Sequence, residues 1–251
     1  MNVIKCDLRR SIQSKEFILA VLIMTIVGYI ALTESLAFLE AHSIRGQDIS
    51  MLTLYSVFKS NEMFLMSIPI ACALIYGTAS YDELNYRFII FSLPRSSRSK
   101  YIQAKMSALI VSSFSAVLLT WLLMIGCGLV ICFNKNMPVY FGDGNGMESG
   151  IQIFSWIVQD CLGGVLWALT SAVASIVMNS KYMAYITPFL LYYILDTFQK
   201  RYYIAYYYFN PAEWMSSNHM NLGICMIFLI VFCVVLAGIL EWMMRKKIRD
   251  V

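Results

Sequence analysis

Long, nearly unbroken apolar runs decide which solvent this chain folds in. Crossing a hydrocarbon core of about 30 Å takes about 20 consecutive apolar residues of helix. "FILAVLIMTIVGYIALTESLAF", Phe17 to about Phe38, is that long and has a single charge, Glu34, near its far end. Met106 to about Phe133 is the longest clean stretch, and Leu222 to Met244 closes the series. Between them lie Met63 to Tyr81, with Pro69 inside it, and Ile151 to Met178, with Asp160 in its first half. A shorter run from Tyr182 to about Phe198 holds Pro188 and ends against Asp196. Length and periodicity together predict six membrane helices. The composition agrees, with 59% hydrophobic and 14% charged residues, where soluble domains run nearer about 45–50% and about 25%. Residues 1–251 therefore read as one all-α polytopic membrane domain, with little chain left over for a soluble one.

Six crossings put both termini on one side, and the basic residues say which. Of the 19 Lys and Arg, fourteen fall at the N-terminus, in the second connection, at Lys181 and in the tail. The other five are Arg45, Lys59, Lys135, Lys200 and Arg201. The excess of positive loops marks the cytoplasmic face, so both ends are expected there. The first run exceeds a signal-peptide core and lacks a small-residue cleavage site, so it reads as a retained span.

Two polar segments interrupt the apolar pattern in an organised way. In "MNVIKCDLRRSIQSKEF", Ile4, Leu8 and Ile12 recur every fourth residue, with Lys5, Arg9 and Arg10 between them. That spacing predicts an amphipathic helix over 1–16 lying in the membrane interface. The second segment, 82–105, reads "DELNYRFIIFSLPRSSRSKYIQAK". Its basic half serves as a topological anchor, but Phe88, Ile89, Phe91 and Leu93 carry apolar surface that a free loop would expose. A short helix across the cytoplasmic face, offering those side chains to a soluble partner, accounts for more of the residues.

With these features in view, the chain resembles the permease subunits of ABC-2 type transporters. Members have an N-terminal elbow helix, six membrane helices, and a cytoplasmic coupling helix between the second and third. The resemblance covers the whole chain in layout. It is most specific at Asp82, Glu83 and Asn85, then Leu93, Pro94, Ser97 and Arg98, then Tyr101, Ile102 and Lys105. Pro94 to Arg98 is one residue longer than the family form, and no glycine follows Glu83. The resemblance implies an exporter subunit that dimerises with itself or a sister permease and rests on two separate ATPase subunits. It implies that Asp82, Glu83, Arg87, Phe88, Phe91, Leu93, Pro94, Arg98 and Lys105 carry the coupling. Ile4, Leu8, Arg9, Arg10 and Ile12 would form the elbow. The setting it implies is a bacterial plasma membrane, and the cargo an amphipathic peptide, bacteriocin or lipophilic toxin. Pro94 would end the coupling helix, because a residue before proline is driven out of the helical region. A competing reading is a scaffold, immunity or sensor protein that tethers a cytoplasmic partner through the same loop without transport.

The remaining features admit blander explanations. "KRYYIAYYYFNPAEW", within an extracellular aromatic or re-entrant segment over 199–221, suits a belt of Tyr and Trp at the membrane boundary. Tyr207 and Trp214 are its substrate-contact candidates. Asp160 and Asp196 are costly in a bilayer and thus candidates by default; both read as lying toward the outer ends of their spans, in structural or outer-cavity roles. Gly163, Gly164, Ala168, Ser171, Ala172 and Ala174 suit close helix packing. Seven scattered cysteines lack metal-ligand spacing, and no Walker A, HExxH or GxSxG pattern occurs. No cofactor or metal is expected on this chain, ATP and Mg²⁺ being expected on the partner ATPase, and neither catalysis of its own nor a nucleic-acid partner is expected.

Overall fold

The computed structural model describes residues 3–42, 51–79, 81–82, 98–134 and 146–249. The α-helices among them form one bundle: α1 (Val3–Ile12), α2 (Lys15–His42), α3 (Met51–Lys59), α4 (Glu62–Leu74), α5 (Arg98–Asn134), α6 (Gly146–Val177), α7 (Lys181–Tyr202), α8 (Pro211–Ser216) and α9 (Leu222–Arg249). At 1.5 Å per residue, the 28 residues of α2 extend about 42 Å and the 37 of α5 about 55 Å.

Four of these helices, α2, α5, α6 and α9, are long and apolar enough to cross a membrane. The pair α3–α4 becomes a fifth candidate if its two halves, bent by 61°, count as one span. The expected second crossing thus starts earlier than Met63 and ends earlier than Tyr81. Its bend falls at Ser60–Asn61 and not at Pro69. There Asn61 Oδ1 accepts from the Met63 amide at 2.9 Å, capping α4 as α3 stops. Helix α7 has the length of a span, 22 residues, but Asp196, Gln199, Lys200 and Arg201 crowd its second half and it falls short of the apolar character of the others. Among the described residues, four helices, or five with the bent pair, thus have the length and apolarity of spans.

Helix α6 is the centre. Over its most apolar stretch 78% of residues are buried, against 17% for α9, and Gly163 to Leu169 are enclosed on all sides. The small residues make this possible. A Cβ on Gly164 would lie 2.7 Å from Val117 Cγ2 of α5 and 3.1 Å from Cys72 Sγ of α4. Farther along, Ser171 Oγ donates to the Ala73 carbonyl and Ser175 Oγ to the Gly77 carbonyl, each at 3.3 Å. The stripe from Gly163 onward is a packing seam within the chain. Beside it sits an aromatic cluster in which Phe58 meets Phe64 at 4.5 Å and Trp121 edge-on at 5.4 Å between ring centres.

The helices alternate in direction, so the bundle has two distinct ends. At the terminal end, α1 packs on the start of α5, and the α6–α7 turn lies beside the end of α9. Lys247 Nζ donates there to the Ile176 carbonyl at 3.0 Å and to Asn179 Oδ1. Asn179 takes a left-handed φ of 48° to make that turn. At the opposite, cap end, residues 203–221 fold over the bundle. Helix α1 is separate from α2: the chain breaks at Gln13–Ser14, and Ser14 Oγ accepts from the Phe17 amide at 3.1 Å to start α2. Its protein-facing side is mixed, with Ser11 buried and both Asp7 and Leu8 half-buried, whereas Ile12 is exposed. The apolar side expected to meet the membrane is thus left outward at Ile12; the Ile4 side chain lies outside the described residues.

Candidate functional site

The cap end gathers the buried polar side chains of Lys59, Gln159, Asp196, Gln199, Asn210, Glu213 and Ser216. Asn210 and Pro211 start α8, the asparagine Oδ1 accepting from the Ala212 amide at 2.8 Å and the proline filling the first helical position, where no amide hydrogen is needed. The helix ends after Ser216 because Ser217 turns left-handed, at φ 53°. Glu213 then closes the following loop: its Oε2 accepts from the His219 amide at 3.0 Å and its Oε1 lies 2.8 Å from His219 Nδ1. Tyr207 stacks on the other side of that imidazole, 4.3 Å between ring centres and 3° from parallel. Trp214 is buried, and its Nε1 donates to the Tyr208 carbonyl at 2.8 Å.

This cap is bolted to α6 by Gln159, whose Nε2 donates to the Trp214 carbonyl at 2.8 Å. The other half of the same amide accepts from Lys59 Nζ at 2.6 Å. Lys59 is only 1% exposed. Its ammonium also reaches Ser217 Oγ at 3.4 Å and sits 5.3 Å from the centre of the Trp156 ring. Asp160, the next residue along α6, is fully buried; its Oδ2 accepts from Trp121 Nε1 at 2.9 Å, and its Oδ1 has no partner among the described residues.

Two adjoining clefts open beside the cap. One, of about 440 Å³, is lined by Ser56, Lys59, Gln152, Trp156 and the loop from Ser216 to Leu222. The other, of about 430 Å³, is lined by Glu62, Lys200, Tyr207, Glu213 and His219 among others. In the second the charges answer one another, because Lys200 Nζ lies 2.7 Å from Glu62 Oε1 and 3.0 Å from Asp196 Oδ2. In the first cleft Lys59 meets an amide, a hydroxyl and a ring face, and no carboxylate among the described residues.

Comparisons with family models, curated proteins and solved structures return no match.

Of the sequence candidates, Tyr207 lines the second cleft and Asp196 reaches it through Lys200. Trp214 touches neither cleft with its ring, and Asp160 lies below the first cleft, inside the bundle, fifteenth of the 32 residues of α6. At the terminal end Lys105 is 2% exposed. Its Nζ lies 3.1 Å from Asp7 Oδ1 and 2.8 Å from the Tyr76 hydroxyl, which ties α1 to α5 and to the turn after α4. Asp82 pairs with Lys181 at 2.8 Å. Leu8 is half-buried; Arg9 and Arg10 are exposed, Arg9 bonding Gln13. Glu83, Arg87, Phe88, Phe91, Leu93 and Pro94 lie outside the described residues, and Arg98 is described only as the first residue of α5.

Lys59 and Gln159 were not among the sequence candidates, Lys59 having been read as a loop charge. A signal existed. Met51, Leu54, Tyr55 and Phe58 mark one helical face, and Lys59 continues it at i+8, so its stem follows the apolar stripe into the bundle.

Proposed function

We propose that this chain is the membrane subunit of an ATP-driven exporter of the ABC-2 permease type. In this reading α3–α4 is the second crossing and α7 the fifth, giving six crossings with both termini in the cytoplasm of a bacterium. Two copies, or one with a sister permease, enclose the pathway. Two ATPase subunits holding ATP and Mg²⁺ press on 82–105. The cargo by analogy is a peptide, bacteriocin or lipophilic toxin.

The observation that carries the reading is how the two roots of 82–105 are fastened. Asp82 is paired to Lys181 at the head of α7. Lys105 is paired to Asp7 of α1 and bonded to Tyr76. A displacement of the intervening segment is thereby delivered to α1, α4, α5 and α7 together, as a coupling element requires. The same end carries Lys15, Lys100, Lys181, Lys246 and Lys247, in keeping with a cytoplasmic face.

The test is co-expression with an ATP-binding-cassette ATPase, should one be encoded beside this chain, followed by purification through the permease. Phe88→Asp with Phe91→Asp is expected to abolish ATPase co-purification while membrane insertion is unchanged. Retained association and export in that variant would overturn the coupling assignment. Capture through 82–105 of a partner that hydrolyses no nucleotide would favour tethering instead.

A further inference from the structure

We propose that the cleft floored by Lys59 is a binding site for an organic monoanion, specifically a carboxylate at the end of a small molecule or peptide. A buried ammonium is costly unless it is paired and hydrogen-bonded. Lys59 has three N–H donors to satisfy. One goes to Gln159 at 2.6 Å, and the second contact, to Ser217 Oγ, is stretched to 3.4 Å. The remaining face looks onto the Trp156 ring. The nearby opposite charge, Asp160, is held by Trp121 and forms no ion pair with Lys59.

The surroundings suit the ligand class. The lining offers neutral donors, Ser56, Gln152, Ser217, Asn218 and Asn221, with Trp156 and Leu222 for an apolar neighbour group. Among the described residues no carboxylate belongs to that lining. Glu213, the nearest acid in the cap, is turned to His219 and opens on the second cleft. A single lysine matches a single negative charge, where a phosphate dianion calls for several cations or a guanidinium fork. A volume of about 440 Å³ falls within the range of small-ligand sites, about 300–1,000 Å³. A carboxylate reaching the floor would take over the long Ser217 contact and leave the Gln159 bond in place. The cleft's chemistry does not depend on the permease reading.

The experiment uses the full chain in nanodiscs of zwitterionic lipid and two probes, N-acetyl-alanyl-leucine as its free acid and as its C-terminal amide. Binding is followed by tryptophan fluorescence, since Trp156 lines the cleft. The acid is expected to bind about tenfold or more tightly than the amide, the usual scale of a hydrogen bond to a charged group. Lys59→Met is expected to erase that preference, and Lys59→Arg to keep part of it. Because Lys59→Met removes a buried charge and could repack the floor, Asn221→Leu in the wall provides a second variant, expected to weaken the acid with the lysine intact. Equal binding of acid and amide, or a preference that survives Lys59→Met, overturns the proposal. So does native mass spectrometry showing a phosphatidylglycerol retained through Lys59 and displaced by neither probe, which would make the cleft a lipid headgroup site.

Discussion

Replacing Lys105 by methionine isolates the clamp that holds α1 to the bundle. Methionine keeps the length and apolar stem of the side chain but removes the ammonium that faces Asp7, Tyr76 and the Tyr101 ring. Lys105 is 2% exposed and Asp7 13%, so the carboxylate left behind has little water to turn to. Breaking a buried pair from one side costs about 3–5 kcal/mol. The residual exposure of Asp7 argues for the lower end, about 3 kcal/mol, which in a chain of this size lowers the midpoint by roughly 6–12 °C. Asp7→Asn leaves a carbonyl for the ammonium and is expected to cost less, about 1–2 kcal/mol. The double variant is the decisive member, because with neither charge present neither is stranded. It is expected to recover most of the loss. The assay is thermal unfolding read by a thiol-reactive dye in a Cys6→Ser background, since Cys72, Cys132, Cys161 and Cys225 are buried until the bundle opens. A Lys105→Met midpoint within about 1 °C of the parent, or two single losses that simply add in the double variant, refutes the reasoning.

Gly128→Ala is expected to destabilise by about 1–3 kcal/mol, because the new methyl group would run into the Tyr55 hydroxyl that donates to the Met124 carbonyl at 3.1 Å; adding Tyr55→Phe is expected to return part of the loss in the same thermal assay. Topology is checked with a membrane-impermeant maleimide on right-side-out cells. Asn218→Cys, in the cap, is expected to label from outside and the native Cys6 only after the membrane is opened, and the reverse pattern would invert the orientation.

Runs such as Phe17–Phe38 and Met106–Phe133 were legible because lipid asks only for length and apolarity, and both helices extend a little beyond them. Residues 51–62 were not. The nine residues of α3 carry an apolar face but are too few to read as a span, and their burial depends on Trp121, far along the chain. The full burial of Asp160 was not legible for a related reason. Helix α6 begins at Gly146, before the apolar run, and the cap then covers that end with residues from 207 to 222. Hydropathy cannot register a lid supplied by distant sequence. Asn210–Pro211 was visible as a short motif, and its local job, starting a helix, is of the kind a sequence can state. Gln159, which holds the Trp214 carbonyl, looks by contrast like any polar residue on a long helix. Lys105 was legible as the root of the third helix, but its tie to Asp7 depended on a chain reversal that the sequence does not measure.

Helix α9 touches the rest of the molecule along a narrow line, yet Lys247 pins its last turn to the hairpin between α6 and α7. A rod fastened along one seam and riveted near its tip can neither roll nor slide. The Ile, Val and Phe side chains on its free flank therefore keep a constant depth and bearing in the bilayer. Any tug on the tail is handed to the Asn179 corner before the lipid feels it.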